Sequence, residues 1–396
     1  MRITRWFAAA VLVAGSAGSV ASAAPPTGSW SEPGQAPIFR ESVQYPVGSA
    51  GQGLGSQTIA AGDFDHDGNA DVAAVDTAGG VAISRGDGSG QLRRTQYVAT
   101  DLGANAVQAA DLRGTGNLDL VVTNLASISV LFNDGNGNFA VDHTYSTDPN
   151  PTVTARTGGL PFGVAIADFN HTGHPGLAIN NVLPVPGGVG IMDNDGSGHF
   201  APPRWFGAGL LKLGIQAGDL TGDGWPSLVV EDRATSGAWV MLNDHHGGFL
   251  PPRWHLILLP DEDIKLSDVD GNGTLDLVTA NIAAFSFSVH YGNGDGTFGP
   301  PTPTFGPVGP CAVEPGDYTG HHNGLQDIAV VQFVPSVVQI WRNNGDHTFS
   351  YLEQHTIGLG GQAAHAVPLN RDRLPDLVTA STFSADVAVL VNNNPA

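Results

Sequence analysis

One pattern recurs seven times along this 396-residue chain: an Asp-rich turn, a short apolar run, a second alternating apolar run, and a Gly/Asn/Asp turn that usually ends in an aromatic. The clearest copies of the first turn are Asp63-Phe64-Asp65-His66-Asp67-Gly68-Asn69-Ala70-Asp71 and Asp268-Val269-Asp270-Gly271-Asn272-Gly273-Thr274-Leu275-Asp276. Others start at Asp111, Asp168, Asp219, Asp317 and Pro368, which spaces the units 48 to 57 residues apart. Self-similarity at such a period makes each unit one supersecondary element, able to bury its apolar faces only against its neighbours.

The second turn repeats in step with the first: Arg85 to Gly90, Asn133 to Phe139, Asp193 to Phe200, Asn243 to Phe249, Gly292 to Phe298 and Asn343 to Phe349. These read as hairpin turns in which Gly and Asn supply a positive φ. Runs such as Leu120 to Thr123, Leu228 to Val230, Leu277 to Ala280 and Ile328 to Val331 are short, β-branched and apolar at successive positions, so both faces of those strands should be buried. A unit of this length matches one propeller blade better than a solenoid coil of about 20 to 25 residues. The expected fold is all-β: a seven-bladed β-propeller of four-stranded antiparallel blades over residues 38–396. The last unit stops after Val387 to Val391 without its aromatic turn and outer strand, and Phe39 to Tyr45 resembles the missing piece. The N-terminal stretch is therefore expected to supply the outer strand of the last blade.

The acidic turn ending Asp276-Leu277, followed by Gly292-Asn293-Gly294-Asp295-Gly296-Thr297-Phe298, resembles the FG-GAP repeat of integrin α subunits and the related VCBS repeats of bacterial secreted proteins. The resemblance extends over nearly all of the chain after its first residues. It implies a propeller whose acidic turns bind calcium.

The chemistry of the turns leads to the same ion. Calcium takes about six to eight oxygens, and alternate residues of a tight loop can point carboxylates or amides inward. In the first copy Asp63, Asp65 and Asp67 would offer side-chain oxygens, Asn69 a backbone carbonyl and Asp71 the last carboxylate, with Gly68 at the sharp turn. The fifth copy offers Asp268, Asp270, Asn272, the carbonyl of Thr274, and Asp276. An EF-hand would need Glu at the twelfth position, where Ala74 and Thr279 stand. The fourth copy keeps Asp219, Thr221 and Asp223 but ends in Ser227, a weaker third site. The remaining copies depart further: Arg113 takes the third ligand position of the second, Gly176 ends the third, His321 and His322 interrupt the sixth, and Pro368 and Arg373 alter the seventh. For these, turns made by Asx hydrogen bonds without metal are the expected reading. Structural Ca2+ is thus expected at two turns, with a third in the fourth copy.

Arg2 and Arg5, an apolar stretch from Trp6 to Val13 and a small-residue tail ending at Ala23 read as a secretory signal peptide, 1–23, followed by a flexible segment, 24–37. The small and polar residues Gly15, Ser16, Gly18 and Ser19 argue against a membrane span there. A secreted or cell-surface protein follows. Its single cysteine, Cys311, excludes an internal disulfide. Acidic residues number 37 against 16 basic ones, a sign that disfavours phosphate neutralisation and hence nucleic-acid partners.

Other features carry less. Arg85-Gly86-Asp87 falls on a turn that every unit has, and the tryptophans of Pro202-Pro203-Arg204-Trp205 and Pro251-Pro252-Arg253-Trp254 suit packing between blades or sugar stacking. Val141 to Phe162 is the longest insertion and a candidate ligand loop. Metalloprotease, nucleophile-elbow and P-loop motifs are absent, and no catalytic residue is assigned. The expected function is a monomeric, non-catalytic extracellular module that binds protein or glycan. The alternative is a lectin or a polysaccharide-active, lyase-like propeller. A funnel lined by charged groups with displaced pKa values would favour the enzyme, and a shallow apolar or aromatic face would favour binding.

Overall fold

A computed structural model describes residues 30–31, 37–48, 57–147, 160–182, 188–208, 212–257, 261–320, 323–372 and 374–394. The expected signal peptide lies outside the described residues. The described residues form seven separate antiparallel sheets. Blade 1 runs Ile59–Gly62, Asp71–Asp76, Gly80–Gly86 and Leu92–Ala99 from its inner to its outer strand. Blades 2 to 6 repeat that order, opening with Ala106–Ala110, Pro161–Ala167, Lys212–Gly218, Asp261–Ser267 and Pro310–Gly316. These inner strands touch one another in succession, and that of blade 7, Gly361–Val367, touches that of blade 1, so the ring closes around a central channel. One 3-10 turn, Ile282–Ala284, is the only helical element among the described residues.

Blade 7 draws on both ends of the chain. Gly361–Val367, Asp376–Ser381 and Asp386–Leu390 are followed in the sheet by Val43–Pro46, with Val43 opposite Val389 and Tyr45 opposite Val387. Phe39 bridges to Asn392, in the manner of Phe200 with Asn194 and Phe249 with Asn243 in blades 3 and 4. Its ring meets Tyr318 of blade 6 edge-on at 5.7 Å. The backbone N–H groups of Ile38 and Phe39 donate to the buried Glu353 carboxylate at 2.8 and 2.9 Å. Within the segment read as a linker, Trp30–Ser31 pairs with Gln354 and Glu353 as a fifth strand on blade 6.

The second strand of every blade is buried along its whole length, because each of its faces looks at a different neighbour. Val72 and Ala74 pack with Val378 and Ala380 of blade 7, while Ala73 and Val75 pack with Val107 and Leu120 of blade 2. The core is accordingly seven apolar layers, one per seam, and each Val or Leu so buried contributes about 1.5–3 kcal/mol. Cys311 is buried and unoxidised in the layer between blades 6 and 7.

The second turns correct one sequence expectation. Among the described residues no asparagine of these turns has a positive φ; that conformation falls on glycines such as Gly135 and Gly137 and on His245 and His347. The asparagines serve through their amides instead. Asn133 donates to the carbonyl of Phe64 at 2.8 Å, Asn194 to Leu112 at 2.8 Å, Asn243 to Phe169 at 2.8 Å, Asn343 to Val269 at 3.0 Å and Asn392 to Tyr318 at 2.9 Å. Each acceptor is the second residue of the preceding blade's acidic turn. Blades 1 and 5 have Gly86 and Gly292 at the asparagine position, and a Cβ there would sit 2.1 and 2.2 Å from the carbonyls of Ala70 and Leu275. In these two blades a backbone donor takes over: Gly90 N–H reaches Leu369 and Gly296 N–H reaches Leu220, both at 3.1 Å. All seven seams carry this bond.

Candidate metal centres

The acidic turns join the first and second strands at one end of the blades. Gly68 (φ 85°) and Gly273 (φ 86°) make the sharp bend that returns the chain, a conformation costly for any residue with a Cβ. The first carboxylate caps that bend: Asp63 accepts the Gly68 N–H at 2.9 Å, and Asp268 accepts that of Gly273 at 2.8 Å. The last carboxylate is fully buried and ties three pieces of backbone together. Asp71 accepts from Phe64 and Gly86 at 2.9 Å each, and Asp276 from Val269 at 2.9 Å and Gly292 at 2.8 Å.

In each of these two turns three carboxylates converge. One oxygen each from Asp63, Asp65 and Asp71, and likewise from Asp268, Asp270 and Asp276, lie within 4.8 Å of one another. Burial pushes the Asp71 carboxyl up to about 6, against the pull of its two N–H donors and helped by the nearby charges of Asp65 and Asp67. Asp276 is pushed up to about 6 by burial in the same way, with Asp270 and Asp268 adding to it. The Asp63 Oδ1 and Asn69 Oδ1 atoms are buried without a hydrogen-bond partner. Orphaned oxygens beside crowded carboxylates suit a hard cation, which wants oxygen ligands and relieves the repulsion.

The other predicted ligands are placed differently. Asp67 turns to Asn69, accepting its N–H at 2.8 Å and its side-chain amide at 3.0 Å. Asn272 accepts from Thr274 N–H at 2.7 Å and from its hydroxyl. In the fourth turn Asp219 is engaged by the N–H groups of Thr221, Gly222, Asp223 and Gly224, and Asp223 faces His245 at 2.9 Å. Ser227, standing where the last carboxylate would be, receives the Asn243 N–H at 3.2 Å. Three convergent acids do not form there.

Cations of the protein itself lie beside these turns. In blade 2 the Arg113 guanidinium grips the buried Asp119 in two-pronged fashion at 2.9 and 2.7 Å and also donates to the Asn133 carbonyl at 2.7 Å. In blade 1 Arg85, the first residue of the Arg-Gly-Asp tripeptide, pairs with Asp65 at 3.0 Å and donates to the Asn136 carbonyl. That arginine is therefore occupied within the blade seam. His347 lies 3.5 Å from Asp270.

Beyond the turns, two features were not legible in the sequence. Lys265, Glu314 and His365 stand on the inner strands of blades 5, 6 and 7, each three residues before its turn, and meet in the channel: Lys265 to Glu314 at 2.9 Å, His365 to Glu314 at 3.6 Å. Burial disfavours the Lys265 charge, but Glu314 and Asp263 outweigh it and push the lysine up. Burial lowers His365, although Glu314 opposes the shift. The end of the blades opposite the acidic turns exposes apolar side chains: Phe285, Val334 and Phe383 in the turns between second and third strands, with Leu102 and Leu359 in the connections, are 47% to 70% exposed. Of the insertion read as a ligand loop, Val141 to Ser146 belongs to the strand Phe139–Ser146, and 148–159 lie outside the described residues. Trp205 packs in the layer between blades 2 and 3, while Trp254 is about half exposed.

Residues 63–122 match the model of the FG-GAP-like repeat, in keeping with an FG-GAP/VCBS repeat chain. No curated protein matches the chain. Among solved structures it is similar to BBS1N, crystallised in complex with ARL6DN and soaked with mercury, at 13% identity and TM-score 0.66 over 91% of this chain and 98% of that one. It is also similar to a lectin of Agrocybe aegerita that recognises non-reducing terminal N-acetylglucosamine, at 20% identity and TM-score 0.55 over 90% and 86%. Streptogramin B lyase matches at 14% identity and TM-score 0.59 over 90% and 98%. At these identities the likeness is one of fold. No helix among the described residues is long and apolar enough to cross a membrane.

Proposed function

We propose that this chain is a secreted or surface-held, calcium-braced binding module for an extracellular protein or glycan. The observation that carries the reading is the division of labour between the two ends of the propeller. One end gathers the carboxylates; the other exposes Phe285, Val334, Phe383 and Leu359 in the turns and connections of blades 5, 6 and 7. Exposed apolar surface of that kind marks interaction sites. Calcium would be held by Asp63, Asp65 and Asp71 in blade 1 and by Asp268, Asp270 and Asp276 in blade 5, with Asp67, Asn69, Asn272 and Thr274 completing the shells. It would supply charge compensation to the turns, a structural role.

The channel cluster of Lys265, Glu314 and His365 favours a second reading, a polysaccharide-active enzyme. Against it, Lys265 is held charged by Glu314, and a lysine so paired has no free lone pair to act as a base. A glycan-array and polysaccharide-turnover screen, run with calcium and with chelator, tests both. Binding without turnover, weakened by Phe285→Asp with Phe383→Asp, supports the module; release of product that is lost in Glu314→Gln would replace it with the enzyme.

A further inference from the structure

Blades 2 and 3 bring a second kind of ligand set together. We propose that Asp142, His143 and His199 form a site for a divalent ion of the zinc class, stapling blade 2 to blade 3. The three side chains each offer one ligand atom, all within 4.8 Å of one another. They reach this point from different blades: Asp142 and His143 from the outer strand Phe139–Ser146, His199 from the second turn of blade 3. No single turn imposes the meeting.

The strand is built for it at a β-bulge. Val141 stands opposite Leu131 and His143 opposite Val130, so Asp142 is the extra residue. Bulges fall at the same place in blades 1 and 6, where the extra residues are Thr95 and Leu352. The bulge is a property of the repeat, and blade 2 fills it with a metal-ligand pair.

The donor atoms face one another. Asp142 Oδ2 lies 2.5 Å from His143 Nδ1 and 3.0 Å from His199 Nε2. Ligands about 2.1 Å from a tetrahedral zinc stand about 3.4 Å apart, so admitting the ion takes an opening of about 0.4 Å between Asp142 and His199 and of about 0.9 Å between Asp142 and His143, two exposed neighbours on one strand. His199 is oriented from behind. Its Nδ1 lies 2.8 Å from the Ser197 hydroxyl, which is 2.7 Å from Asp195 Oδ1. A proton held on Nδ1 by that relay leaves the Nε2 lone pair aimed at Asp142, the arrangement that ligating histidines adopt. Tyr145 stacks on His143 at 5.8 Å and Phe132 flanks His199 at 5.9 Å, limiting ring rotation. The nearby Arg113 donates its hydrogen bonds to Asp119 and the Asn133 carbonyl and none to Asp142, on which it acts only through its charge.

Two imidazoles and one carboxylate select zinc, nickel, copper or cobalt over calcium or magnesium. With three protein ligands on an exposed seam, a fourth position stays open to water or to a ligand's donor atom.

The test is zinc titration of the untagged mature chain, saturated with calcium beforehand, by calorimetry and by the visible absorption of cobalt at the same site. The expected result is one equivalent bound, an affinity at least tenfold weaker in His199→Ala and in Asp142→Asn, and no change in His246→Ala, an exposed histidine elsewhere. Zinc should also raise the melting temperature of the wild type but not of His199→Ala, whose zinc-free melting curve serves as the control for folding. Absence of saturable binding, or binding that His199→Ala leaves intact, would overturn the site.

Discussion

Asn392, near the end of the chain, donates its side-chain amide to the carbonyl of Tyr318 at 2.9 Å across the seam between blades 7 and 6. The same bond recurs at every seam, made by asparagine in five blades and by a glycine N–H in two. It couples the acidic turn of one blade to the second turn of the next, so that ordering a turn also fixes its neighbour.

Removing one such amide has a definite cost. Asn343→Ala loses the bonds to Val269 and Gln326 and leaves buried carbonyl capacity unmet, at about 1–3 kcal/mol. Asn344→Ala, one residue along and hydrogen-bonded only to exposed groups, should stay within about 0.5 kcal/mol. Denaturant midpoints compare the two. Equal midpoints would remove the seam bond from the list of stabilising contacts.

Calcium should act through the first and fifth turns. An ion that binds only the folded chain at a hundredfold excess over its Kd adds about 2.7 kcal/mol. Chelator is therefore expected to lower the melting temperature of the wild type and to have little effect on the Asp65→Ala, Asp270→Ala double variant. A wild-type melting curve indifferent to chelator contradicts occupied turns.

Protons and calcium compete for the same oxygens. Asp71 and Asp276 are pushed up to about 6 from an ordinary 3.8, so without calcium the folded chain holds those protons more tightly than the unfolded one. Their contribution to stability is present below the ordinary value and is lost as pH rises through about 6. With calcium the ionised carboxylates gain a partner. The melting shift on adding calcium should thus be small at pH 4.5 and large at pH 7. Asp376 is pushed up to about 6 chiefly by burial, with Asp372 adding its charge, in a turn where no three carboxylates converge among the described residues, and it should keep its pH dependence in calcium.

Much of this architecture was legible because the repeat exposes it. The period counts the blades, and the uniformly apolar second strands announce burial on both faces. The three-carboxylate turns follow from local spacing alone. The asparagine bonds were missed because Asn133 and Phe64 lie 69 residues apart and an asparagine in a turn is ordinarily read for its backbone. The usable signal was recurrence: asparagine at 133, 194, 243, 343 and 392, with glycine at 86 and 292, occupies one repeat position. The channel cluster and the Asp142 site had no such signal, since each needs residues from separate blades.

The N-terminal strand of blade 7 can be tested by deletion. Removing residues 1–46 strips Asp386–Leu390 of its outer partner and takes away Phe39, leaving an unpaired apolar edge. Reduced thermal stability and self-association on gel filtration are expected. An elution volume and a melting curve unchanged from those of the full chain would mean that the ring holds without that strand.

Blade 2 allows the role of the cation to be exchanged between protein and solvent. Arg113 holds Asp119, which is fully buried, so Arg113→Ala leaves a carboxylate without its counter-charge, a loss of about 3–5 kcal/mol. Arg113→Asp should be at least as destabilising in chelator, because it adds a second negative charge. It also gives the turn acids at 111, 113 and 119, the spacing of Asp268, Asp270 and Asp276. Calcium should therefore recover Arg113→Asp and leave Arg113→Ala where it was. If calcium rescues neither or both, the guanidinium is not the ion's substitute, and the acidic spacing alone does not make a site.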